Sequence, residues 1–191
     1  MLISNSKKFC FFHIEKTAGS AISLALAPFC EYVQNKYNET HERLLEHNTT
    51  KFKGWQKDLH ITKYQHHNVS EHIHEVPQDY FTFCFVRHPI DRFHSYYCSV
   101  KSLHPDMPFT DILESGMLTP QYVRIDAPLT FIGKYENLQE DWKYVSEKLN
   151  INLHLPTINK TIKKQVTFSS YEKNLIARKY ANDFVTFGYV L

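Results

Sequence analysis

A lysine, two hydroxyls and a glycine stand together in Glu15-Lys16-Thr17-Ala18-Gly19-Ser20-Ala21, directly after the apolar run Phe9-Cys10-Phe11-Phe12-His13-Ile14. The chemistry of that combination is oxyanion binding. The N–H groups of a helix's first turn have no partner within the helix, and the helix dipole adds partial positive charge beside them. Backbone N–H groups from Thr17 to Ala21 would cradle the anion. Gly19 would let the backbone approach closely. Lys16 adds a full charge, and Thr17 and Ser20 add hydroxyl donors.

A second group follows another apolar run: Val86-Arg87-His88-Pro89-Ile90-Asp91-Arg92-Phe93-His94-Ser95-Tyr96-Tyr97. An Arg at the carboxyl end of a strand points into the crevice where open α/β sheets bind ligands. Arg87 and Ser95 would grip one phosphate, the guanidinium through paired bonds. Pro89 stops the strand and starts a helix. Neither group fits a Mg-nucleoside-triphosphate site. The first lacks G-x-x-x-x-G-K-[ST], since its lysine precedes its glycine, and the second ends in Arg where a magnesium-binding Asp would stand. His66, His67, His72 and His74 invite a metal reading, but their spacing matches no common zinc pattern and no cysteine is near, so no metal is expected. Gln121 and Arg124 are candidates for the acceptor side.

These groups need elements to hold them. Segments 9–14 and 80–86 are short, aromatic and β-rich without clean alternation, which predicts strands covered on both faces, and 129–135 is a third strand candidate. Helices are expected at 20–26, 91–100, 138–149 and 169–180. The second carries Phe93, Tyr96, Tyr97 and Val100 on one side, and the third carries Leu138, Trp142, Val145 and Leu149. Residues 29–77 read as short helices and loops, with Thr62 and Gln65 as a capping box. Alternating strands and helices predict an α/β fold, a P-loop-like three-layer sandwich with a mainly parallel central sheet flanked by helices.

At 191 residues the chain predicts a single domain, 1–191. Its 42% hydrophobic and 22% charged content is globular. A net charge of +2 does not suggest a nucleic-acid binder. No run approaches the roughly 18 apolar residues of a membrane span, and the first residues do not read as a secretory signal. The four cysteines (10, 30, 84, 98) form no C-x-x-C pair, and Cys10 and Cys84 sit in apolar runs as buried hydrophobes. A reducing, cytoplasmic setting is expected, and the N-x-[ST] sequons at Asn38, Asn48, Asn68 and Asn159 carry no weight there.

Phe12 to Ser20 resembles the 5′-phosphosulfate loop of sulfotransferases that use 3′-phosphoadenosine 5′-phosphosulfate (PAPS), in the carbohydrate branch, and Phe85 to Tyr97 resembles their 3′-phosphate motif. Gly133 to Leu138 with Asp141-Trp142, Leu155 to Thr161, and Tyr180 to Tyr189 are similar to the later blocks of the family, in family order. Glu15 departs from the pattern, standing where the family usually has Pro. The resemblance implies sulfuryl transfer from PAPS to a hydroxyl acceptor, a carbohydrate in that branch, without a metal. Lys16 would stabilise the leaving phosphate, and His60, in a segment resembling the family's His-x-Thr block, would be the general base. Glu15 and Glu31 are the alternative bases. Tyr135 would touch adenine, and Asn159, Lys160 and Thr161 would close over the nucleotide. A P-loop-type small-molecule kinase and a non-catalytic nucleotide-binding module of the same fold remain as alternatives.

Overall fold

The computed structural model describes residues 1–30, 67–152, 154–155 and 166–191. Among them the sheet has four strands, β1 (Leu2–Ser4), β2 (Phe9–Phe12), β3 (Phe81–Val86) and β4 (Phe131–Lys134), side by side in that order. β2, β3 and β4 run parallel, and β1 pairs antiparallel along the outer edge of β2. The three expected strands are present, each one to three residues shorter than the apolar run that announced it. β1 is too short to show a period, so nothing in the pattern announces it.

The apolar runs are continuous because each face of the sheet is covered. Phe9, Phe11, Phe83 and Phe85 point to one side, against Ile22, Leu26, Trp142, Val145 and Leu149. Cys10, Phe12 and Cys84 point to the other, against Ile14, Val69 and Val76. Fully burying a phenylalanine contributes about 1.5–3 kcal/mol, so the aromatic face is a major stabilising feature. Gly133 is required inside it, because a Cβ there would stand 2.5 Å from the Phe85 ring.

The flanking helices are α1 (Gly19–Leu26), α2 (Val69–His72), α3 (Pro89–Leu103), α4 (Phe109–Glu114), α5 (Gln121–Arg124), α6 (Leu138–Leu149), α7 (Ser170–Lys179) and α8 (Ala181–Phe187). α6 presents the expected stripe, with Trp142, Val145 and Leu149 buried. α7 opens with a capping box, in which the Ser169 hydroxyl accepts from the Glu172 N–H and the Glu172 carboxylate accepts from the Ser169 N–H at 2.8 Å. α3, α4 and α7 enclose a separate aromatic cluster of Phe93, Ile112, Leu113, Leu118, Phe168, Ile176 and Tyr180. The α/β class with a mostly parallel sheet between helices is therefore as expected.

Cys10, Cys30 and Cys84 are buried, Cys98 on α3 is partly exposed, and no disulfide joins them. Burial pushes the Cys10 thiol up to about 12 and raises that of Cys84 as well. No helix among the described residues is long and apolar enough to cross a membrane. The capping box expected at Thr62 and Gln65 lies outside the described residues.

Candidate active site

β2 ends at Phe12 and α1 begins at Gly19, so residues 13–18 form the connecting loop. Two of its residues are in the left-handed region without being glycine: Lys16 (φ 64°) and Ala18 (φ 68°). Such conformations cost of order 1–3 kcal/mol each and persist only where the surroundings enforce them. The enforcement is visible. The fully buried Thr17 hydroxyl donates to the Ile14 carbonyl at 2.9 Å. The Ala18 carbonyl accepts from the N–H groups of Ala21 (2.9 Å) and Ile22 (3.1 Å).

The strongest restraint is ionic. Arg92, 1% exposed, donates from Nε to the Glu15 carbonyl at 2.8 Å and from Nη1 to the Thr119 carbonyl at 3.0 Å. Its Nη2 lies 3.3 Å from Glu15 Oε2. Arg124 Nη2 reaches Glu15 Oε1 at 3.1 Å and Thr119 Oγ1 at 3.0 Å. Burial depresses the Arg92 guanidinium, and the Glu15 carboxylate opposes that.

This arrangement corrects several expectations. Glu15 is held by guanidinium groups on both carboxylate oxygens, so it clamps the loop and is badly placed to act as a base. Arg124 serves the same clamp. The Thr17 hydroxyl is engaged inside the loop, which leaves only its backbone N–H for an anion. Gly19 carries a further constraint: a Cβ there would fall inside the His13 imidazole, which packs against the start of α1.

Lys16 is the charge the loop presents. Its Nζ donates to Ser99 Oγ at 2.6 Å, and Ser99 Oγ donates to the Ser95 carbonyl at 3.0 Å. Burial lowers the Lys16 pKa from its ordinary value, and the nearby Arg87 guanidinium lowers it further. Ser99 was not anticipated. The signal was helical spacing, since 95 and 99 share one face of α3. Ser95 occupies that same stripe, half-buried, one turn before it.

Arg87 sits where β3 leaves the sheet. Its Nη1 lies 3.5 Å from the Lys16 carbonyl, and its guanidinium rests 4.1 Å from the Tyr135 ring centroid. Its buried Nε has no acceptor among the described residues. The backbone of Arg87 is gripped from behind. Its N–H donates to Gln121 Oε1 at 2.8 Å, and Gln121 Nε2 donates to its carbonyl at 2.9 Å. Buried Asp183 on α8 in turn accepts from the N–H groups of Gln121 (3.0 Å) and Tyr122 (2.9 Å), capping α5 from another helix. Gln121 is thus a buried strut, not an acceptor-side residue. The next residue is held too: the His88 N–H donates to Glu136 Oε1 at 2.7 Å, and the Tyr189 hydroxyl donates to Glu136 Oε2 at 2.9 Å.

The structure therefore brings together Lys16, Thr17, Ala18, Gly19, Ser20, Ala21, Arg87 and Tyr135, with Ser95 and Ser99 on the facing helix. His60, Glu31, Asn159, Lys160 and Thr161 lie outside the described residues. Two cations near each other, next to the first turn of a helix, are an arrangement that a multiply charged anion would fit.

The model of the sulfotransferase family matches residues 1–116, more than half of the chain, and that stretch holds both grips. The chain belongs to the sulfotransferase family. It is an enzyme, and the family implies PAPS as its sulfuryl donor. That match sets aside the magnesium-dependent kinase. No curated protein and no solved structure matches the chain.

Proposed function

We propose that the chain, as one domain spanning 1–191, transfers the sulfuryl group of PAPS in line to a carbohydrate hydroxyl. The observation that carries the reading is the convergence of Lys16 and Arg87. Burial, and then the neighbouring Arg87 guanidinium, make the Lys16 charge costlier, and a bound anion would relieve that. In this reading the N–H groups of residues 17–21 hold the 5′-phosphate. Arg87 holds the 3′-phosphate with Ser95, and the separated phosphates distinguish PAPS from ATP. The bond from sulfur to the 5′-phosphate oxygen breaks as the acceptor oxygen bonds to sulfur. Lys16 neutralises the charge growing on the departing oxygen, and the acceptor proton passes to a base, for which His60 is our choice. Tyr135, already under the Arg87 guanidinium on one face, borders the adenine, and Asn159, Lys160 and Thr161 close the nucleotide side. The carbohydrate acceptor rests on the resemblance to that branch and on the mild positive charge.

Thermal shift gives the first test. A ligand that binds only the folded state raises stability by RT ln(1 + [L]/Kd). The 3′,5′-bisphosphorylated adenosine product should therefore raise the Tm more than MgATP at equal concentration. Labelled PAPS offered with a panel of sugars then tests turnover. Equal shifts by both nucleotides would remove the 3′-phosphate assignment, and transfer only to tyrosyl peptides or small alcohols would remove the carbohydrate.

A further inference from the structure

Three ligand-type atoms converge at the start of α2, on residues to which no role with PAPS is assigned. His67 Nδ1 lies 2.8 Å from Glu71 Oε2 and 3.2 Å from His72 Nε2. A metal ion with bonds of about 2.0–2.2 Å in a tetrahedral shell sets its ligand atoms about 3.3 Å apart. Two of the three separations are close to that and all three atoms lie within 4.8 Å of one another, so an ion fits once the side chains adjust. We propose that His67, Glu71 and His72 form a binding site for a zinc-class divalent transition-metal ion.

A second, independent feature supports the assignment. The other ring nitrogen of His72, Nδ1, lies 3.1 Å from Glu75 Oε1. A carboxylate on the far nitrogen is the usual companion of a metal-bound histidine, because it fixes the tautomer and leaves the near nitrogen as a lone-pair donor. With the proton on Nδ1, facing Glu75, His72 Nε2 would turn its lone pair toward the cluster. The side chain of His72 is 11% exposed, so its aim is set by packing. Two imidazoles and one carboxylate suit zinc, cobalt or nickel better than magnesium or calcium, which prefer oxygen-only shells. Three protein ligands leave a fourth position for water.

Placement in the fold gives the ion a role. Asn68, between two of the ligands, is the N-cap of α2, and its Oδ1 accepts from Arg124 Nη1 at 3.4 Å. Ser70 is tied to Asp126 through its N–H (2.8 Å) and hydroxyl (2.6 Å). Arg124 is also one arm of the clamp on Glu15. An ion here would brace α2, which has only four residues, and through Arg124 would stiffen the loop that carries Lys16. The histidine spacing conceals the site because half of the arrangement is glutamate.

The test is a titration of the metal-free full chain with Co2+, followed by its visible absorption, and with Zn2+ by calorimetry. One saturable equivalent is expected, with the visible bands of four-coordinate cobalt. His67→Ala and Glu71→Gln, both at exposed positions, should each weaken binding at least tenfold. Glu75→Ala should weaken it by about 10–100-fold without removing a direct ligand. His104→Ala should leave binding unchanged. The proposal is overturned if the wild-type chain shows no saturable equivalent. It is equally overturned if a His67→Ala, Glu71→Gln double variant with an unchanged circular dichroism spectrum keeps wild-type affinity, since other histidines would then hold the ion.

Discussion

The ends of β2 and β3 lie next to each other and carry the two cations proposed to hold the ligand, yet they are held by opposite means. After β2 the chain takes two left-handed turns at Lys16 and Ala18, and a carboxylate between Arg92 and Arg124 holds it there. After β3 the chain is unstrained, and the neutral amide of Gln121 holds it through the backbone of Arg87. The difference shows which charges are structural. Those of Arg92 and Arg124 are answered by Glu15, whereas among the described residues those of Lys16 and Arg87 meet neutral partners, a hydroxyl and an aromatic ring. The site keeps its positive charge for a ligand because its supports do not use it.

The largest effect should come from breaking the ionic support. Glu15→Ala leaves the Arg92 guanidinium buried without its carboxylate, and breaking a buried pair from one side costs about 3–5 kcal/mol. For a chain of this size that is a fall in Tm of roughly 10 °C. An unchanged Tm would show that the loop does not depend on the clamp. Lys16→Ala tests the other kind of charge. Turnover should fall by about 10²–10³-fold, the usual loss for one stabilising donor, while the Tm holds or rises because a desolvated cation is removed.

Gln121→Leu should be gentler. It strands the N–H and carbonyl of Arg87 and one Asp183 contact, for about 2 kcal/mol and a Tm lowered by roughly 4–8 °C. Nucleotide affinity should weaken with it, since Arg87 is no longer fixed. The smallest effect is a pH dependence. Burial and Arg87 lower the Lys16 pKa, so its charge is lost, as pH rises, earlier than that of an ordinary lysine. Affinity for 3′,5′-bisphosphorylated adenosine should decline with rising pH before an ordinary lysine would titrate. Lys16→Arg should carry the affinity to higher pH, and superimposable profiles for the two proteins would exclude Lys16 as the titrating group.

The sheet was legible because strands covered on both faces leave long apolar runs, and 9–14 and 80–86 could hardly be anything else. The longer helices were legible from their stripes. α4, α5 and α8 were not, since four to seven residues hold too few turns to show a period. Within the site, residue types at strand ends identified Lys16 and Arg87. The supports were out of reach, because Glu15 meets Arg124 and Gln121 meets Asp183 across more than sixty positions of sequence and no local pattern encodes such a pairing. The left-handed Lys16 and Ala18 were equally invisible, since neither residue favours that conformation by itself.

The cysteines have a practical consequence. With 10, 30 and 84 sealed in the interior, a thiol-directed dye should label the folded protein at position 98 alone. That residue adjoins Ser99, which holds the Lys16 ammonium, so a fluorophore there would report nucleotide arrival without any engineered cysteine.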